Sequence, residues 1–374
     1  MTEVLFGDVV KKILGNEDRL TTSREYYVGG EHFTSSNLEV KSYGVIKNED
    51  LGYQFHFPFE KGDVLFMTKN PRLRKAGQSN IDGICSIATF VIRTKDETVL
   101  KQNFIPIIMQ SDQFWSYLIS NQSGSVNPFI KWGTLGNYSF NLPSRELQEK
   151  YSVLVWKTQQ YLNILERQII NLNLLIKSRF IEMFGTRVDY SEKWDLMPFN
   201  DCCDVLYGFP FNSDLFNEDE DGVPLIRIRD INSGFSGTYT TEKVDEQYII
   251  ENGALLVGMD GDFCAKMWDS GKALLNQRTC KMSGKNGIID DIFLLHYINP
   301  ELENIQRNTS STTVKHLSAR EINKLKIPVP PFELQNKFAT FVQQVDKSKF
   351  ELQQHIDNTK KLQKTIINSI FQEP

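Results

Sequence analysis

The chain repeats itself at an offset of 187 residues (335 − 148), and this limits its architecture more than any other feature. Leu142-Pro143-Ser144-Arg145-Glu146-Leu147-Gln148-Glu149-Lys150 aligns with Val329-Pro330-Pro331-Phe332-Glu333-Leu334-Gln335-Asn336-Lys337. The match continues without a gap. Tyr151 falls on Phe338, Leu154 on Phe341, Val155 on Val342, Leu165 on Leu352, Ile169 on Ile356 and Leu175 on Leu362. Phe180 falls on Ile367 and Phe184 on Phe371. Periods of about 20–50 residues would indicate a solenoid. A period this long indicates duplicated domains.

The repeated element reads as a helix. Each copy opens with proline followed by glutamate, which suits a first turn with its exposed positive dipole end. Neither copy has an interior proline or glycine. Apolar or tolerated positions recur at 147, 151, 154, 158, 161, 165, 169, 172 and 176, and again at 334, 338, 341, 345, 352, 356, 359 and 362. This is close to a heptad stripe. A helix from Ser144 to Phe184 would be roughly 60 Å long at ~1.5 Å per residue. Pairing the two copies buries both stripes, so the spacing predicts a pair of long antiparallel coiled-coil helices.

The segments before each helix lack helical periodicity. Short β-rich runs such as Asp63–Met67, Ala88–Ile92, Pro224–Ile228 and Ala254–Met259 are punctuated by Gly, Asn and Asp. The fold expected is α+β: a domain at 1–142, a spacer helix at 143–186, a second domain at 187–329 and a C-terminal helix at 330–374. An antiparallel helix pair would put the domains at opposite ends of a rod, related by an approximate two-fold axis.

Net charge is −5, but it is unevenly distributed. Residues 1–140 carry 15 Lys+Arg against 15 Asp+Glu, whereas residues 191–327 carry 14 against 22. Much of the excess is the run Asn217–Asp221, read as a solvated loop. Local basic patches can still hold DNA in a protein of this balance. No run approaches the roughly 18 apolar residues of a membrane span. Five cysteines without a CxxC pair fit a reducing cytoplasm rather than a disulfide framework or zinc site.

Together these features resemble the specificity subunit of Type I restriction-modification systems. The resemblance rests on the doubled pattern of apolar residue, proline, two residues, Glu-Leu-Gln (146–148, 333–335) and a long helix. Gly222–Ile231, containing Pro-Leu-Ile-Arg-Ile, is similar to a strand segment near the start of the family's target-recognition domains. Leu256–Gly261 and Leu275–Thr279 resemble later segments, with Gly62–Leu65 and Gly83–Ser86 in similar parts of the first half. The first half holds no clear copy of Pro-Leu-Ile-Arg-Ile. The resemblance implies two target-recognition domains, each reading half of a bipartite sequence in double-stranded DNA. It implies helices that space them and dock two methyltransferase subunits, with restriction subunits joining. S-adenosylmethionine, ATP and magnesium would be brought by those partners, and this chain would hold no cofactor or metal.

Catalytic signatures are missing. Asn127-Pro128-Phe129 has one proline too few for an amino-methyltransferase. There is no GxxxxGK[ST] loop, and no convincing Asp…Glu-x-Lys nuclease spacing. A non-catalytic chain follows, with a coiled-coil scaffold binding protein partners as the other class.

Candidate DNA contacts are cationic or small polar residues in loops, since Arg and Lys hold phosphates and Arg also reads guanine. In the first half they are Lys69, Arg72, Arg74 and Lys75, then Gln78 and Asn80, then Ser123 and Ser125 before the helix. In the second they are Arg227, Arg229, Asn232, Gln277, Arg278, Ser310, Thr312 and Lys315.

Overall fold

A computed structural model describes residues 2–308 and 315–372. The described chain forms two compact units, residues 1–168 with 352–374 and residues 169–351. Each unit takes part of both long helices, Arg145–Phe184 and Phe332–Ile370. The division therefore runs through the helices instead of at their ends.

In the first unit a terminal ribbon pairs Thr2–Leu5 with Ser139–Leu142, antiparallel. A mixed sheet follows in the spatial order Val10–Ile13, Thr89–Thr94, Val64–Met67, Ala76–Ser79 and Glu39–Val40. A second sheet has the order Gly44–Val45, Tyr26–Val28, Gly83–Ser86, Phe55–Phe59. Alternate residues of Val64–Met67 serve two cores. Val64 and Phe66 pack with Phe114 and Trp115, while Leu65 packs with Val28, Phe59 and Cys85. Burial on both faces explains why this strand is an uninterrupted apolar run.

The second unit repeats most of this plan, without a counterpart of Glu39–Val40 in one sheet and with Phe216–Asn217 added at the edge of the other. Leu196–Pro198 pairs with Lys326–Pro328. The sheet Cys203–Tyr207, Thr279–Gly284, Leu255–Gly258, Cys264–Met267 has the order of its counterpart. Val223–Ile226 runs parallel to Ala273–Leu275, as Tyr26–Val28 runs parallel to Gly83–Ser86. Tyr26–Val28 is thus the first-half counterpart that the sequence left unassigned. Only position in the sheet reveals it, because Tyr-Tyr-Val shares no residue pattern with Pro-Leu-Ile.

The Pro-Leu-Ile-Arg-Ile segment is not one strand. Its strand stops at Ile226, and Ile228–Ser233 is helical. The Asp230 carboxylate accepts the Arg227 N–H at 2.7 Å, a capping bond that an extended chain could not make.

The repeated glutamine has a structural role in both units. Gln148 is 1% exposed; its Nε2 donates to the carbonyls of Val99 and Pro143, each at 2.9 Å, and its Oε1 accepts from Lys101 N–H at 3.1 Å. Gln335 is 0% exposed; it donates to Ile288 and Pro330, each at 2.8 Å, and accepts from Asp290 N–H at 2.9 Å. Each amide fastens the first turn of a long helix to the preceding domain with no buried polar atom left over.

The helices pair antiparallel within each unit. In the first, Gln363 Nε2 donates to Thr158 Oγ1 at 3.0 Å, and Lys360 lies 3.8 Å from Glu166. In the second, the Phe180 and Phe338 rings are 5.3 Å apart, and Arg179 lies over Phe341. Phe184, Phe293 and Phe338 are fully buried there, each worth roughly 1.5–3 kcal/mol of transfer free energy. Gly185 ends the first long helix, at φ +91 with its N–H on the Ile181 carbonyl at 2.8 Å, a left-handed cap that suits glycine.

The buried stripe differs from the apolar periodicity. Leu154 and Tyr161 are 43% and 45% exposed. The buried seam of the first helix shares Leu165 and Ile176 with that stripe but also contains Gln148, Ser152, Val155, Gln159 and Leu162. Gln159 and Gln363 meet in the seam at 3.4 Å. Polar residues that satisfy one another can occupy such positions, and counting apolar residues misses them.

Candidate nucleic-acid interface

In both units three loops meet at one end of the sheets. In the first unit, Thr68 N–H bonds to the Ala88 carbonyl at 2.8 Å, Ile130 N–H to Thr68 at 3.0 Å and Asn70 N–H to Pro128 at 2.9 Å. Lys69 forms a bridge to Phe129, which pairs in turn with Ser123. The loop after Val64–Met67 is therefore seated against the polar segment preceding the helix. Lys69, Arg72 and Ser125 are exposed, as is Lys131. Val126 is 88% exposed at the tip.

The other first-half candidates lie differently. Arg74 Nη1 contacts Asp112 Oδ1 at 2.6 Å, and Lys75 Nζ donates to the Gly30 carbonyl at 2.6 Å. Gln78 donates to the Gly62 carbonyl at 2.9 Å. Gln78 lies in the strand Ala76–Ser79, opposite Val64, and Asn80 just past its end; this strand returns antiparallel along Val64–Met67. They sit at the far end of that hairpin from Lys69. The basic run and the polar run after it, contiguous in sequence, do not form one patch.

In the second unit the same bonds recur: Met259 N–H to Arg278 at 3.0 Å, Leu317 N–H to Met259 at 2.7 Å and Gly261 N–H to Lys315 at 2.9 Å. Asp260 forms the bridge to His316 where Lys69 bridges Phe129. The Asp260 carboxylate, 8% exposed, accepts from both Arg278 and His316, whose side chains are about 60% exposed. Burial pushes the Asp260 carboxyl up, but the bonds from His316 and Arg278 outweigh it and hold the group below the usual carboxylate range. The two cationic side chains are thus oriented from behind by one buried anion.

The remaining candidates collect at the same end, because parallel strands finish together. Arg227 follows Ile226, and Gln277 follows the neighbouring strand Ala273–Leu275. Both are exposed. Arg229 is steadied by Ser236 Oγ at 2.9 Å, and Asn232 is exposed on the same short helix. Lys315 Nζ donates to the Gln306 carbonyl. Ser310 and Thr312 lie outside the described residues. The residue-by-residue reading missed His316 and Lys131. His316 could have been found from the 187-residue offset, which places it on Phe129.

Among the described residues, no group of three or more His, Cys, Asp or Glu is placed to hold a metal. No described helix is long and apolar enough to cross a membrane.

A doubled α+β unit on paired antiparallel helices, with one loop cluster per unit, is the fold of Type I specificity subunits. Two solved structures align with the chain over nearly its whole length. One comes from work on complex assembly and conformational transition of the type I R-M system (TM-score 0.54, 18% identity, 99% of this chain and 97% of that one). The other is the Type-I restriction-modification system S subunit from M. genitalium (TM-score 0.54, 12% identity, 100% and 96%).

Residues 191–361 match the family described as Type I restriction modification DNA specificity domain. The specificity subunit of the Escherichia coli EcoBI enzyme is 41% identical over 167 residues, 44% of this chain and 35% of that protein. The MjaVIII specificity subunit of Methanocaldococcus jannaschii is 23% identical over 203 residues, 54% and 47%. These matches span less than half the length of either relative. The resemblance read from the doubled helix motif is borne out, with the family match falling on residues 191–361.

Proposed function

We propose that the chain is the DNA sequence-specificity subunit of a Type I restriction-modification complex and performs no catalysis itself. Each unit reads one half of a bipartite duplex target through its loop cluster. The long helices space the units and dock two methyltransferase subunits, which bring S-adenosylmethionine. Restriction subunits bring ATP and magnesium. A cytoplasmic location in a prokaryote goes with this role.

One observation carries the reading: the family match falls largely on the second unit, and the order of its sheets' central strands recurs in the first. Two loop clusters built alike but lined differently suit the reading of two different half-sites. The exposed Leu154, Tyr161 and Ile164 on the first long helix suit protein partners, because large apolar side chains on one element favour a partner's surface.

The test exchanges residues 191–327 with the corresponding segment of a specificity subunit of known target. The hybrid is assembled with its methyltransferase. One half of the methylated sequence should change and the other remain. Methylation of an unchanged target would refute the assignment, as would methyl transfer by the chain alone.

A further inference from the structure

The first unit contains a cavity of about 370 Å³ between a turn at residues 34–37, Arg74 and the second long helix. Four cationic side chains line it, Arg74, Lys360, Lys361 and Lys364, and no carboxylate does. The neighbouring acids are each shared between two cations. Asp112 lies 2.6 Å from Arg74 and 3.1 Å from Lys364. Glu166 lies 2.6 Å from Lys41 and 3.8 Å from Lys360. Glu39, which does not line the cavity, accepts from Asn163 at 2.7 Å. Lys361 takes part in no ion pair among the described residues. Four lining cations against the two carboxylates paired with them, Asp112 and Glu166, leave an excess of two positive charges around the concavity.

The turn adds neutral donors. Thr34, Ser35 and Ser36 are exposed on the rim. Ser36 and Arg74 both hold left-handed backbone, at φ 53 and 47, and the Ser36 N–H bonds to the Arg74 carbonyl at 3.1 Å. Such conformations are costly outside glycine and collect at ligand-binding sites. Ammonium, guanidinium and hydroxyl donors around a concave, net-positive wall match a phosphoryl group, which is charged and rich in acceptors.

We propose that this cavity binds a phosphoryl group, with Arg74, Lys361 and Lys364 supplying charge and the Thr34–Ser36 hydroxyls supplying further donors. The group comes from a free phosphate compound or from the backbone of duplex DNA. The second source rests on the specificity-subunit reading, and the first does not.

The experiment uses the full chain, the double variant Lys361→Gln/Lys364→Gln, and Lys347→Gln as an exposed control elsewhere on the helix. Pyrophosphate is titrated calorimetrically, and a 40-base-pair duplex of random sequence is titrated at several salt concentrations. Saturable pyrophosphate binding, weakened at least about tenfold in the double variant and unchanged in the control, supports a free phosphate compound. Absent pyrophosphate binding, with a duplex salt slope that falls by about two in the double variant, supports a DNA backbone phosphate. If pyrophosphate does not bind and the duplex salt slope is unchanged, the proposal is overturned while target recognition by the loop clusters stands. Lys361→Gln alone breaks no ion pair and serves if the double variant misfolds, with a slope change of about one expected.

Discussion

The loop after Val64–Met67 in the first unit runs Lys69-Asn70-Pro71-Arg72-Leu73-Arg74-Lys75, whereas the equivalent loop in the second unit runs Asp260-Gly261-Asp262-Phe263. The backbone bonds that seat them are the same, yet their charges are opposite. The first unit presents cations on the loop itself. The second buries an acid at the matching place and uses it to orient Arg278 and His316 from neighbouring segments. A conserved scaffold can therefore carry unrelated surface chemistry. This is what two domains of one chain need if they are to read different half-sites.

The equivalence of the units is tested most severely at the two glutamines. Gln148→Ala and Gln335→Ala each strand two carbonyls and one N–H in a buried site. Each should cost about 3–4 kcal/mol, measured by denaturant unfolding. A large effect in one unit and none in the other would end the structural equivalence argued for the helix starts.

Acid should distinguish the units next. His296 lies against Phe180 and Phe338, and burial pulls its pKa down to about 4 from 6.5. A depressed histidine is neutral when folded and takes up a proton on unfolding. Its contribution is complete above pH 6.5 and is lost as pH falls towards 4. The loss is at most about 3 kcal/mol over that window. His296→Leu should flatten this limb of the stability curve for the second unit. An unchanged pH profile would show that the ring is not desolvated.

Arg278→Ala should weaken binding of the assembled methyltransferase by ~1–3 kcal/mol if the guanidinium reads a base, and should relax only the second half-site. Asp260→Asn should reproduce part of that loss, and the double variant should fall short of the sum. Full additivity in this cycle would separate the two residues.

The smallest effect is expected at Lys69 and Arg72. If they hold phosphate, Lys69→Ala and Arg72→Ala should each lower the salt slope by about one and weaken all sequences alike. Arg74→Ala, whose guanidinium is engaged by Asp112, should change the slope less than Arg72→Ala. The reverse order would make Arg74 the stronger phosphate contact of the two.

Much of the fold was legible because duplication writes itself into sequence. The 187-residue offset, the proline-led helix starts and the absence of interior breakers pointed to two long helices, which run Arg145–Phe184 and Phe332–Ile370. Apolar runs such as Val64–Met67 marked central strands. Short strands with no distinctive residues, Tyr26–Val28 above all, were silent, since their identity lies in which neighbour they pair with. The candidate interface was legible only in part. Composition flagged Lys69 through Asn80 as one stretch, but a hairpin folded its two ends apart.

By itself the sequence determined that the chain is a doubled α+β domain carried on two long helices, because local breakers and periodicity are properties of adjacent residues. Tertiary structure decided which face of each helix is buried. It put Gln148, Ser152 and Gln159 inside and Leu154 and Tyr161 outside, since a buried amide is stable once its partners arrive from elsewhere in the chain. It also decided that Asp260, Arg278 and His316 act together. They are up to 56 residues apart in sequence, and only the pairing of the strands and segments that carry them brings one carboxylate within reach of both cations.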